Sequence, residues 1–199
     1  MTPSLNLSTA SPRYGAVAQA FHWLIALLVL TAFILTPGGS EHRVYAPGNA
    51  GNLHLHEALG TTVLTLTVLR LLWRMAHKPP AEPPMPAWMR IVAAATHHTL
   101  YLLLFVTPLT AITGAWLEGH DIAAFGFIAV PPPVAADHAV GEVIAEVHGW
   151  LGDAIIWLAG LHALAALFHH AILRDGVLRM MLPQRLGLAL PPRGRPDRT

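Results

Sequence analysis

Four long apolar stretches, separated by polar or proline-rich segments, organise this chain. The first runs from Ala16 to Thr36, interrupted by Gln19, His22 and Thr31, and closes on Pro37-Gly38-Gly39. The second runs from about Leu53 to Met75 and carries Arg70 and Arg74 near its end. Long arginine stems can carry their charge to an interface, so these residues do not interrupt the span. The connector from His77 to Pro86 cannot stay helical, because each proline lacks an amide hydrogen and clashes with the preceding turn. The third stretch, Ile91 to Leu117, contains no Asp, Glu, Lys or Arg, and Pro108 predicts a kink of the kind that membrane helices tolerate. After a loop containing Pro131-Pro132-Pro133, the fourth stretch extends from about Gly141 to Leu173, long enough to project beyond a bilayer. Each stretch reaches the roughly 20 residues that cross a hydrocarbon core as a helix. The first is read as a retained span rather than a signal peptide, since it is long and no Ala-x-Ala cleavage pattern follows promptly.

The pattern predicts an all-α fold, an integral membrane four-helix bundle. Composition agrees: of 199 residues, 54% are hydrophobic and 12% charged, about half the charge of an ordinary soluble domain. Residues 1–15 form an N-terminal segment, 16–182 the membrane domain, and 183–199 a basic tail rich in proline and glycine that is expected to be disordered. No internal repeat is visible. Eleven of the twelve lysines and arginines flank the termini or the middle connection, and only Arg43 lies in the first or third. This bias predicts that both termini are cytoplasmic. The net charge of +1 does not point to a nucleic-acid partner, because the basic residues sit beside apolar spans. With no cysteine, disulfides, thiolate zinc sites, cysteine-ligated iron-sulfur clusters and covalent c-type haem attachment through Cys-x-x-Cys-His are excluded. Thirteen histidines remain as the main candidates for metal chemistry.

Their depths are informative. His22 lies six residues inside the cytoplasmic start of span one, and His56 near the outer start of span two. Span four carries His148 near its outer end and His162 fourteen residues deeper. Fourteen residues rotate a helix by about 1400°, some 40° short of four turns, and rise about 21 Å, so both imidazoles share a face at two depths. That arrangement suits two stacked haems: His148 pairs with His56 outside, and His162 with His22 inside. Gly60 and Gly152, each one turn from a ligand, and Gly160, close to His162, are expected to open room for the macrocycle. His169 also shares the face of His162, so spacing permits either as the inner ligand; His162 is favoured because His169 lies nearer the cytoplasmic end.

Other residues carry weaker expectations. Arg70, fourteen residues after His56, reaches the inner level and suits an anionic propionate, or else serves as a positive-inside anchor. His97 and His98 are assigned to the interface or to propionate hydrogen bonding. His54 is expected at the outer haem edge, and His42, His77, His120 and His138 in loops. Glu57, Glu142, Glu146 and Asp153 could relay protons or shape the outer entrance, or be solvated acids at helix starts. Six tryptophans suit an interfacial belt.

At these residues the chain resembles a known family. The segments Phe21-His22-Trp23-Leu24, His56 with Gly60, Leu69-Arg70-Leu71-Leu72, Tyr101-Leu102-Leu103 with Pro108, Gly160-Leu161-His162-Ala163 with His169-His170, and Leu178-Arg179-Met180-Met181 look like prokaryotic cytochrome b561. The resemblance covers nearly all of residues 13–182. It implies a bacterial inner-membrane electron carrier with two noncovalent b haems that exchanges electrons with ubiquinone. One branch of the family is superoxide oxidase, which passes electrons from periplasmic superoxide to ubiquinone. By position, His22 and His162 would hold the cytoplasmic-side haem, and His56 and His148 the periplasmic-side haem. The competing expectation is a noncatalytic anchor and electron conduit for a separate dehydrogenase or periplasmic cytochrome; a haem-free transporter or metal protein fits the paired depths less well.

Overall fold

The computed structural model describes residues 13–36 and 44–183. The expectations for Arg43, His42 and the basic tail beyond Pro183 lie outside them. Four helices long and apolar enough to cross a membrane dominate the described residues: α1 (Ala16–Ile34), α2 (Ala50–Ala76), α3 (Ala87–Leu117) and α4 (His138–Phe168). A π-helical stretch, His169–Leu173, continues α4, and a short α5 (Val177–Met180) follows. Helix α1 packs on α2 and α3 on α4, with α2 and α3 joining the pairs. The third helix begins four residues before the apolar stretch suggested, because Pro86 precedes its first turn at Ala87. Proline's fixed φ suits a helix start, where its missing amide hydrogen costs no intrahelical bond.

Burial is inverted relative to a soluble protein. Large apolar side chains point outward, with Ile34, Met75 and Trp157 at 70%, 77% and 76% exposed, while polar Thr67 is 0% exposed and Gln19 8%. Lipid is the natural solvent for such a surface. Thr31 and Thr65 spend their hydroxyls on their own helices, on the carbonyls of Leu27 and Thr61.

The two ends of the bundle are closed differently. At the terminal end, the buried Gln19 amide donates to the carbonyls of Tyr14, Met180 and Leu182, the Tyr14 amide donates to Met180, and the Trp23 indole to Met181. The start of α1 and the segment after α5 are thereby stitched together. At the opposite end a β-hairpin, absent from the sequence expectation, caps the bundle: β1 (Ile122–Ala124) pairs antiparallel with β2 (Ile128–Val130), Ala123 opposite Ala129. Its turn places Phe125 and Gly126 at φ 54° and 80°, the region in which glycine alone is unstrained. The hairpin rests on α2, where Glu57 Oε2 accepts from the Ala123 amide and Thr61 Oγ1 from the Phe125 amide. Glu57, expected as a relay or solvated acid, is therefore a hairpin anchor.

Close approach of α3 and α4 depends on glycine. A Cβ at Gly141 would lie 2.5 Å from Oε1 of the buried Glu118, and one at Gly114 would lie 3.3 Å from the Ala145 amide nitrogen. Gly141→Ala is expected to destabilise the protein by about 1–3 kcal/mol through overpacking, read as a lower detergent melting temperature. An unchanged melting temperature would mean that Glu118 swings away freely.

Candidate functional site

Two imidazole pairs lie between facing helices. At the hairpin end, His56 on α2 and His148 on α4 have ring centroids 6.0 Å apart and planes at 88°. At the terminal end, His22 on α1 and His162 on α4 are 6.3 Å apart at 78°. The pairs are those anticipated from depth. A metal–nitrogen bond of about 2.0 Å plus half an imidazole ring on each side spans roughly 6 Å, so one iron fits midway in either pair. Among the described residues no group of three or more His, Cys, Asp or Glu side chains could hold a metal ion. Two protein donors per site suit a macrocycle that brings its own four nitrogens.

The hairpin-end pair is pre-oriented by backbone. His56 Nδ1 lies 2.9 Å from the Ala32 carbonyl and His148 Nδ1 2.9 Å from that of Thr107. A carbonyl can only accept, so both Nδ1 atoms carry the proton and both Nε2 lone pairs are free for iron. Local sequence explains why the first of those carbonyls is available. Ala32 lies in the last turn of α1, where carbonyls lack intrahelical partners. The missing amide hydrogen of Pro108 leaves the carbonyl of Leu104, not that of Thr107, without its regular partner; the Thr107 oxygen takes the imidazole on its second lone pair and also accepts from the Thr110 hydroxyl at 2.7 Å.

The terminal-end pair is held differently. Arg70 Nη2 lies 3.4 Å from His22 Nδ1. A guanidinium has donors only, so this contact makes Nδ1 the acceptor and leaves the proton on Nε2, the wrong tautomer for ligation through that atom. Ligation through Nε2 there requires Arg70 to leave the imidazole for another acceptor, and a propionate would be one. The Arg70 and Arg74 guanidiniums lie 5.3 and 5.9 Å from the centroid of the Tyr101 ring. A third imidazole, His97, has its centroid 5.3 Å from that of His162, closer than a position at the interface alone suggests.

Other candidates separate from the pairs. His169 Nδ1 bonds the Asp175 carboxylate at the turn after the π-helix, so it is engaged away from His22. His98 bonds the Ala94 carbonyl of its own helix, and His77 stacks on Trp73 at 3.7 Å. His120 stacks on Tyr45 at 3.5 Å, His138 bonds Glu118 at 3.1 Å, and His54 is exposed. Glu142, Glu146 and Asp153 are exposed on α4. A Cβ added at Gly60 or Gly152 would meet nothing within 4 Å, so open space adjoins the ligand face. Gly160 does not serve this purpose: two residues before His162, it lies about 200° around the helix. The terminal-end histidines are instead followed one turn later by Ala26 and Ala166, a small-residue pattern legible in the sequence and missed there. Tyr101 was likewise not singled out for its placement over two arginines.

Four apolar helices that hold paired imidazoles between them have the design of a membrane electron-transfer cytochrome. The family model for prokaryotic cytochrome b561 matches residues 13–184, and the chain belongs to that family. It is 32% identical to cytochrome b561 homolog 2 of Escherichia coli over 181 residues, covering 89% of this chain and 95% of that one. It is 30% identical to a probable superoxide oxidase of Yersinia pestis over 177 residues, covering 88% and 98%. A cytochrome b562 of Cereibacter sphaeroides is 33% identical over 184 residues, covering 88% and 99%. Membership implies b-type haem binding and a multi-pass bacterial membrane protein that transfers electrons.

Proposed function

We propose that this chain is a dihaem b-type cytochrome of the bacterial inner membrane that carries electrons from periplasmic superoxide to membrane ubiquinone. The observation that carries the reading is the pair of histidine couples at 6.0 and 6.3 Å, each spaced for one iron. His56 and His148 hold the outer haem, His22 and His162 the inner, and both termini face the cytoplasm, as the lysine and arginine distribution favours. When bound, haem iron alternates between ferric and ferrous states and so carries one electron at a time. The carbonyls of Ala32 and Thr107 orient the outer imidazoles, and Arg70 offers its charge to an inner propionate. In balance, two superoxide anions each lose one electron and leave as dioxygen, while one quinone gains two electrons and two protons to become quinol. The probable superoxide oxidase of Yersinia pestis supports this choice of donor.

A second reading, an electron conduit for a partner redox protein, is favoured by charge. The hairpin end carries Glu57, Glu118, Asp121, Asp137, Glu142 and Glu146, and Arg43 is the lone lysine or arginine in the first and third connections. Such a field does not steer an anion inward. Stopped-flow mixing of oxidised protein with superoxide, with and without a soluble ubiquinone analogue, separates the readings. Rapid growth of the reduced haem bands, followed by quinone-dependent decay, is expected. Absence of reduction by superoxide, with prompt reduction by quinol or a dehydrogenase, selects the conduit.

A further inference from the structure

At the terminal end, a cavity of about 360 Å³ opens between the start of α1, the last turns of α2 and the first half of α3. Arg13, Arg70, Arg74 and Lys78 line it, and no carboxylate does. Among the described residues, none of these four cations forms an ion pair with an acid. Arg13 donates only to the Leu182 carbonyl, and Arg70 and Arg74 share the ring of Tyr101. Four like charges around one partly enclosed space repel unless an anion enters, and the repulsion grows as water is excluded. The proposed inner propionates would engage Arg70, the deepest of the four. Arg13, Arg74 and Lys78 remain, at the level where α2 ends at Ala76.

We propose that this cavity binds the phosphate of an anionic phospholipid, an assignment that goes beyond the haem reading and does not depend on it. The depth selects the source. The cations cluster where a membrane-spanning helix stops, the level of lipid headgroups, and anionic lipids are drawn to such juxtamembrane basic clusters. The stacked Trp73 and His77 rings give the cavity an aromatic wall suited to that interface. Guanidinium groups bind phosphate oxygens through directed, charge-assisted donors, whereas the quaternary ammonium of a phosphatidylcholine headgroup is repelled by the same cations.

The test uses full-length, haem-loaded protein and native mass spectrometry, with phosphatidylglycerol and phosphatidylcholine as probes. Wild-type protein is expected to retain phosphatidylglycerol in preference to phosphatidylcholine. The Arg74→Gln, Lys78→Gln double variant should bind it roughly 30-fold more weakly, with haem content and absorption spectrum unchanged. The charge-preserving pair Arg74→Lys, Lys78→Arg should retain most of the preference, which separates charge from folding. Equal retention of the two lipids by wild-type protein, or undiminished preference in the glutamine variant, overturns the proposal. Millimolar inorganic phosphate that displaces phosphatidylglycerol and raises the melting temperature equally well would assign the cavity to a soluble phosphate instead and also overturn it.

Discussion

Replacing His22 or His162 by alanine is expected to halve the haem content, with both variants losing the same haem, while His56→Ala and His148→Ala each lose the other. The reason is geometric. Each pair has a separation at which two imidazoles would hold one iron between them, 6.3 Å at the terminal end and 6.0 Å at the hairpin end, and removing either imidazole would remove half of that attachment. No cysteine is present to retain it covalently. Acid-acetone extraction, pyridine haemochrome quantification and low-temperature spectra of the four variants would read this directly. Wild-type protein should give two extractable haems per chain, and each variant one. His169→Ala should keep both, since its ring is held by Asp175. Loss of the inner haem in His169→Ala, with retention in His162→Ala, would transfer the ligand role to His169.

Haem should also load in order, the hairpin-end site first. There, both Nδ1 atoms already donate to carbonyls, so each Nε2 presents its lone pair before haem arrives. At the terminal end, the Arg70 contact with His22 Nδ1 selects the opposite tautomer and must be exchanged for another. Losing an outer partner of a metal-bound histidine typically lowers affinity by about 10–100-fold, and a difference of that order is expected between the sites. Haem titrations of apoprotein in the His22→Ala background, which leaves the hairpin-end site, and in the His56→Ala background, which leaves the terminal-end site, isolate each affinity. Equal affinities, or tighter binding at the terminal end, would show that Arg70 does not obstruct ligation.

The sequence by itself determined the four spans and the depth of every paired histidine. Lipid imposes this legibility: each span must be long, apolar and internally hydrogen-bonded, so hydropathy alone marks its place. The fourteen-residue interval between His148 and His162 then follows from helix periodicity. Tertiary structure decided what depends on neighbours distant in the chain. The carbonyl partners of His56 and His148 are backbone atoms of Ala32 and Thr107, and no side-chain pattern announces a backbone acceptor. The hairpin at 122–130 escaped notice because its strands are three residues long and are held by Glu57 and Thr61 of α2 rather than by local propensity. His97, equal to His98 in sequence terms, is distinguished only because α3 packs against α4 with that face turned to His162. Which of His162 and His169 faces His22 was likewise a packing decision: both share a helical face, and the π-helical turn that brings Asp175 back to His169 separates them.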